Sequence, residues 1–365
     1  MIAAVHKGHM DQSIYTLAVD ADGGDSIREG RQQLKLCERV YEATRLLLDR
    51  NPEVQIRMSG IPEDMGSLAD KVKQDSRITF IPSKIHVPSD VVPSKTIWRD
   101  TAMYQLLTEV KENRAQGMYS SGNNKTYVVF THATRLPRLE GIDRCPILAE
   151  VPTRGLESAY LLDVGATTDT TAEQLVQFAK IGAVYLKEAV GRNPRVGLLS
   201  NGREESKGLS NESKRAYTLL KEQKLPFGEF IGNVEPEHIG SGIADLVVCD
   251  GGAGNLCIKQ MKETAFMVAD RFKHYTKHPP WWAVPLWPFA AVYNKCWVGA
   301  QMKDNLHPSK FGGAIFLGYE SGVLMKGHGS ADTAAIYFGL KRLLKTVKAD
   351  IPSKIKSALT STQII

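Results

Sequence analysis

Short apolar runs rich in β-branched residues recur along this chain, separated by longer stretches in which apolar residues return at helical spacing. The runs fall at 15–20, 77–81, 159–163, 195–200, 246–250, 314–318 and 323–326. Their apolar character is continuous rather than alternating, as in strands covered on both faces. Helices are predicted over 28–51, with Leu36, Val40, Ala43 and Leu47 on one face, and over 171–190, with Leu175, Phe178 and Ile181. Two more are predicted over 255–275 and over 333–348, the last with Leu340, Leu343, Leu344 and Val347 on its apolar face. Strand then helix, repeated, specifies an α/β chain with a largely parallel sheet and helices on both faces. No linker rich in Pro, Gly or Ser divides it. Residues 13–350 are therefore expected to form a single α/β domain, followed by a C-terminal tail over 351–365.

A chain of 365 residues with 42% hydrophobic and 24% charged residues buries an ample core without disulfide or metal staples. The net charge of +6 suits an acidic partner or an anionic surface and falls short of a nucleic-acid footprint. The five cysteines are Cys37, Cys145, Cys249, Cys257 and Cys296. They form no CxxC pair, so reduced thiols in a cytosolic protein are expected. No signal-peptide run and no stretch of ~18 apolar residues occurs, so a soluble chain is expected.

Several strands end in glycine-bearing turns that lead into helices. The first gives Asp20, Asp22, Gly23, Gly24 and Asp25; a later one gives Asn201, Gly202 and Lys207. Another gives Asp250, Gly251, Gly252, Gly254 and Asn255, and a late one gives Gly327, His328 and Gly329. In a parallel sheet such turns are expected to gather at the carboxyl edge, where N–H groups of the turns and helix starts receive an anion. Each also has a plainer use: glycine for turn geometry, Asp250 as a helix cap, His328 as a packed or surface histidine. The chain has no GxxxxGK loop followed by Ser or Thr and no GxGxxG after its first strand, so nucleoside triphosphates and the usual dinucleotide are unsupported. It has neither a GxSxG elbow nor an HExxH pair. Spacing alone stops at an α/β protein with anion-friendly turns.

The wording of the turns goes further. VDADGGD, SSGNN, LEGIDRCPI, LLDVGATTD, VQFAKIG, NPRVGLLSNGREESKG, VVCDGGAGN and FGGAIFLGYESGVLMKGHGSAD follow in that order over residues 15–335. This series resembles the bacterial phosphate acyltransferase family, PlsX. The resemblance implies a three-layer α/β/α sandwich akin to phosphotransacetylases and isopropylmalate-type dehydrogenases, assembled as a homodimer. It implies transfer of a fatty acyl group from an acyl carrier protein to inorganic phosphate. The acyl phosphate would then feed a glycerol-3-phosphate acyltransferase in phospholipid synthesis. The sequence offers no reason to expect a metal or a tightly bound organic cofactor, and no nucleic-acid partner is expected. Arg28 stands where the family usually has proline, Lys125 where it has glycine, Thr167 where it has asparagine, and Ser200 where asparagine is usual.

Inorganic phosphate is itself a nucleophile, so the protein need only hold it, aim it and stabilise the oxyanion. On this reading the catalytic residues are Lys207, Asn123, His328 and Asp250. Lys207 and the Gly251–Asn255 turn bind phosphate, Asn123 positions it or the carbonyl, and His328 donates to the oxyanion or leaving thiolate. Asp250 orients Lys207 or a turn N–H. Gly23, Gly24, Asp25, Gly122, Lys125, Gly202, Gly251, Gly254 and Asn255 complete the substrate-binding set. Asp163 and Asp169 hold the turns. A lysine in the charged REESK turn also reads as merely solvated.

Residues 278–302 hold four of the five tryptophans, and Pro279, Pro280, Pro285 and Pro288 exclude a continuous spanning helix. Trp281, Trp282 and Trp287 suit a membrane interface; a buried interface between copies or a packed loop is the alternative. The resemblance favours peripheral contact with the inner face of an anionic membrane by a cytoplasmic protein. The positive stretch Lys341, Arg342, Lys345, Lys348, Lys354 and Lys356 reads as a solvated helix face or as a dock for an acidic carrier protein. Three other functions fit the same fold: a phosphotransacetylase-like enzyme using acyl-CoA, an oxidoreductase, and a non-catalytic membrane-associated scaffold. Salt sensitivity separates carrier from CoA use; the oxidoreductase lacks its dinucleotide fingerprint; the scaffold would bind phosphate or carrier without turnover.

Overall fold

Strand β1 (Tyr15–Asp20) is buried from Leu17 onward, as its continuous apolar run requires. The computed structural model describes residues 14–23, 30–87, 94–155, 157–277, 311, 313–329 and 331–362. In chain order β1 is followed by α1 (Gly30–Arg50), β2 (Val54–Gly60), α2 (Pro62–Met65), α3 (Ser67–Gln74) and β3 (Ile78–Pro82). Next come α4 (Ala102–Lys111), β4 (Gly117–Ser120), α5 (Asn124–Ala133), β5 (Ile147–Pro152) and β6 (Ser158–Leu162). Then follow α6 (Ala172–Tyr185), β7 (Arg195–Leu199), α7 (Asn211–Glu222), β8 (Glu229–Val234), α8 (Pro236–Ile239) and β9 (Leu246–Val248). The chain continues through α9 (Gly251–Lys277), β10 (Gly313–Phe316), β11 (Val323–Gly327), α10 (Thr333–Lys348) and α11 (Ile351–Thr362).

The eleven strands among the described residues form one sheet in the order β3-β2-β1-β4-β11-β10-β5-β6-β9-β7-β8. The five strands from β3 to β11 run parallel, and so do the four from β6 to β8. Three antiparallel pairings, β11 with β10, β10 with β5 and β5 with β6, separate the two blocks. Three reversals leave the blocks pointing in opposite directions. The glycine turns therefore emerge at two opposite edges of the sheet, not at one. The turns after β1, β4 and β11 share one edge, and those after β6, β7 and β9 share the other.

Helices cover the sheet as the α/β pattern requires. In the first block α1 packs with α10 and α4 with α5; in the second, α6 packs against β6, β9, α7 and α11. Leu36, Val40, Ala43 and Leu47 of α1, and Leu340, Leu343, Leu344 and Val347 of α10, are all buried. Phe178 of α6 is fully buried; truncation to alanine there costs about 3–5 kcal/mol.

Four strands escape a reading by apolar runs. β4 is only four residues, GMYS; β8 carries a glycine bulge and a half-exposed face; β5 lies between Pro146 and Pro152; β2 interposes polar Gln55 and Arg57. The GGAGN turn is not a loop before a helix but the first turn of α9. Asp250 Oδ1 accepts from Ala253 N at 2.8 Å and caps it. Residues 351–362 form α11, anchored by buried Ile351 and Ile355. In the basic stretch, Arg342 pairs with Glu150, Lys348 with Glu53, Lys354 with Glu188 and Lys356 with Glu320. Carboxylates thus offset four of its six positive charges. Among the described residues no helix is long and apolar enough to cross a membrane. The tryptophan segment 278–302 lies outside the described residues.

Candidate active site

At the first edge Asp20 organises the turns. Its Oδ1 accepts from Asp22 N at 3.0 Å and Gly23 N at 2.9 Å, and its Oδ2 accepts from Ser120 Oγ at 2.6 Å. Ser120 Oγ in turn accepts from Gly122 N at 3.0 Å. The chains are so close that a Cβ on Gly23 would lie 2.6 Å from Asp20 Oδ2 and 2.8 Å from Gly122 N, so only glycine fits. Asp22 accepts from Ser83 Oγ at 3.0 Å. Burial first, and then the neighbouring Asp20 carboxylate, push Asp22 up to about 7. Asn123 caps α5, its Oδ1 accepting from Lys125 N at 2.9 Å, and Lys125 projects from the exposed side. His328 is exposed, with Lys262 Nζ of α9 at 2.7 Å from its Nε2.

Between β1, α4 and α5 lies a small cleft of about 30 Å³, lined by Asp20, Asp22, His86, Met103, Asn123 and Thr126 among others. Thr126 is almost wholly buried, and burial lowers His86 to about 4. His86 is thus neutral at ordinary pH.

At the second edge Asp163 is the hub. Its Oδ1 accepts from Ile147 N at 2.8 Å, and its Oδ2 accepts from Thr167 N at 2.7 Å and Thr167 Oγ1 at 2.8 Å. Burial raises its pKa even so. Gly251 N donates to Thr167 O at 2.7 Å. Gly254 packs so tightly that a Cβ would sit 1.9 Å from Asp163 O. Asn255 lies against Gly165, and Asp169 is exposed. On neighbouring β7, Gly202 N donates to Ser200 Oγ at 3.4 Å. The exposed Lys207 runs its stem over Gly202; a Cβ there would lie 2.9 Å from Lys207 Cγ. Asn233 Nδ2 holds this loop by donating to Glu204 O at 2.8 Å and Lys207 O at 3.3 Å.

The residues singled out from sequence therefore fall into two groups. Gly23, Gly122, Asn123, Lys125 and His328 lie at the first edge; Gly202, Lys207, Asp250, Gly251, Gly254 and Asn255 lie at the second. α9 joins them. It starts beside Asp163 and reaches His328 with Lys262, eleven residues on, a rise of roughly 16 Å at 1.5 Å per residue. Most N–H groups of the glycine turns point inward. Those of Gly23, Gly122, Gly202, Gly251 and Gly254 bond to Asp20, Ser120, Ser200, Thr167 and Asp250. Asp250 meets Ala253 rather than Lys207. Gly24, Asp25, Trp281, Trp282 and Trp287 lie outside the described residues. Ser120 opens the SSGNN turn and Thr126 follows it by two residues, neither singled out from sequence, and His86 and Lys262 belong to no motif.

Both cysteines under the turns are buried: Cys37 donates to Ala21 O at 3.2 Å and Cys249 to Asp163 O at 3.3 Å. Burial raises both thiols far above their ordinary range, so neither is a thiolate nucleophile. Among the described residues, Glu235, Glu237 and His238 bring ligand atoms within 4.8 Å of one another, and Glu237 is exposed. They lie just beyond β8, at the same edge of the sheet as the second turn group.

The family described as "Fatty acid synthesis protein" matches residues 15–354. A phosphate acyltransferase of Photobacterium profundum is 32% identical over 94% of this chain and 96% of its own length. One of Streptococcus uberis is 30% identical over 95% and 98%. Among solved structures, a phosphotransacetylase from Streptococcus pyogenes is similar with a TM-score of 0.55 and 16% identity, covering 92% of this chain and 96% of that one. This last likeness concerns the fold alone.

Proposed function

The chain belongs to the fatty acid synthesis protein family, and we propose that it moves a fatty acyl group from an acyl carrier protein to inorganic phosphate. A phosphate oxygen attacks the thioester carbonyl carbon. The new C–O bond forms, the C–S bond breaks, and the thiolate takes a proton. The products are acyl phosphate, for phospholipid synthesis through a glycerol-3-phosphate acyltransferase, and the free carrier thiol. The observation that carries this reading is the chemistry of the turns. They offer the Asn123 amide and exposed lysines, and the thiols beneath them, Cys37 and Cys249, are buried and protonated. Phosphate as nucleophile needs nothing more.

The two turn groups emerge at opposite edges of the sheet, so the two edges divide the work. The carbonyl and phosphate meet at the first edge, beside Asn123 and His328. His328, with Lys262 against it, donates to the oxyanion or to the departing thiolate; one such donor is worth about 3–4 kcal/mol of barrier. Lys207 and the start of α9 form a positive point for the anionic arm of the carrier. Residues 13–350 act as one catalytic domain of a homodimer, and the tryptophan segment touches the inner face of an anionic membrane from the cytoplasm.

The test mixes purified protein with a long-chain acyl carrier protein and inorganic phosphate. Phosphate-dependent acyl phosphate is expected. Product from acyl-CoA alone would favour the phosphotransacetylase-like reading. No product from either donor, with folded protein, would leave a scaffold.

A further inference from the structure

The cleft at the first edge has the donors and acceptors of a built site. The first turns of α4 and α5 both open into it. Thr101, at the N-cap of α4, spends its hydroxyl on Trp98 O at 2.6 Å, and no side chain caps that helix. The first-turn N–H groups of α4 therefore have neither an intrahelical acceptor nor a capping side chain. Thr126, in the first turn of α5, is 1% exposed, and its hydroxyl has no partner among the described residues. Neither ring nitrogen of His86 has one either. A buried polar atom left unpaired costs about 1–3 kcal/mol. Three of them around one cleft describe a ligand that supplies several acceptor oxygens and at least one proton. The proton is required by His86, whose neutral ring keeps one nitrogen as an acceptor, and Asp22 on the same wall shares a proton with any oxyanion placed there.

We propose that this cleft binds inorganic phosphate in a protonated form, with the N-termini of α4 and α5 and the Thr126 hydroxyl donating to its oxygens and its own P–OH donating to Asp22 or His86. The inference rests on the proposed reaction, for which it seats the nucleophile beside Asn123. Sulfate has similar shape and charge but carries no proton at neutral pH, so the site discriminates against it. Thr126 and His86 thereby become specificity-determining residues. A phosphomonoester shares the chemistry and is the alternative source.

Calorimetric titration of the full chain at pH 7 tests this, using inorganic phosphate, sulfate and glycerol 3-phosphate as separate probes. Phosphate is expected to bind at least tenfold tighter than sulfate. Thr126→Val should weaken phosphate binding about tenfold with little change in thermal midpoint, and Thr126→Ser should restore it. Sulfate binding equal to phosphate, binding of the monoester alone, or wild-type titration by Thr126→Val would each overturn the proposal. The two readings fail separately. Thr126-dependent phosphate binding without acyl phosphate production keeps the site and sinks the reaction. Acyl phosphate made by Thr126→Val with wild-type KM for phosphate keeps the reaction and sinks the site.

Discussion

Ser120 donates a 2.6 Å hydrogen bond to Oδ2 of Asp20, across 100 residues of chain. The same carboxylate holds the Gly23 turn, and the same serine holds Gly122. One buried contact thus sets the spacing of Asp22 and Asn123 across the cleft. Ser120→Ala leaves a buried carboxylate short of a donor, a loss of about 1–3 kcal/mol. The thermal midpoint should fall and the KM for phosphate should rise, with Ser120→Thr recovering both. An alanine variant that melts and turns over like wild type would show that the two turns are held by other means.

Lys207 is exposed and lies on the edge remote from His328. Lys207→Ala should therefore leave the thermal midpoint nearly unchanged and raise the KM for the acyl carrier protein severalfold at low salt. The gap should close as salt rises, because exposed charges are screened over ~10 Å at 0.1 M. Steady-state kinetics at two ionic strengths decide this. A rise in the KM for phosphate instead would place phosphate at the second edge.

Two groups of the cleft couple stability to pH with opposite signs. Asp22 rises from 3.8 to about 7, so the folded state holds its proton where the unfolded state has lost it. Its contribution, on the order of 4 kcal/mol, is full below pH 4 and lost as pH climbs to 7. His86 falls from 6.5 to about 4, so the unfolded state binds the extra proton. Its contribution, on the order of 3 kcal/mol, is full above pH 6.5 and lost as pH falls to 4. Thermal midpoints from pH 4.5 to 8 should show Asp22→Asn gaining on wild type up to about pH 7 and no further. His86→Gln should gain on wild type only as pH falls below 6.5. Parallel curves would refute both assignments.

The strands β1, β6, β7, β9 and β11, buried over most of their length, were legible as apolar runs, and so were the less buried β3 and β10. β4 sits in mid-sheet, yet GMYS is too short to show a period. The opposed directions of the two blocks were not legible either. They follow from β10 and β5 pairing antiparallel, through Ala314 and Ala149, a long-range choice that no local pattern encodes. The site divides the same way. Gly23, Gly122, Gly202 and Gly251 were found as turn positions. That their N–H groups are spent on Asp20, Ser120, Ser200 and Thr167 depends on residues brought together only by folding. Thr126 and His86 gain meaning solely from the cleft they line.

Gly254 and Gly240 make a matched test of close packing. A Cβ at Gly254 would stand 1.9 Å from Asp163 O and 2.9 Å from Cys249 Sγ, while one at Gly240 meets nothing within 4 Å. Gly254→Ala should push α9 off the Asp163 turn and cost at least about 1–3 kcal/mol. Gly240→Ala should stay within about 0.5 kcal/mol of wild type. Denaturant unfolding separates them, and equal midpoints would mean that the start of α9 yields freely.

Helix α9 leaves Leu256, Met267 and Val268 at 69%, 57% and 60% exposure. Leu256 and Met267 are eleven residues apart, which at 3.6 residues per turn returns to within about 20° of the same face. Burying such side chains is worth about 1.5–3 kcal/mol each, and a second copy of the chain can supply the cover. Leu256→Ser with Met267→Ser should therefore convert the proposed homodimer to a monomer at micromolar concentration, read by light scattering behind size exclusion. Leu46 on α1 is 42% exposed, and Leu46→Ser serves as the control that leaves the oligomeric state unchanged. If the double variant keeps the wild-type mass, the apolar face of α9 does not join two copies of the chain.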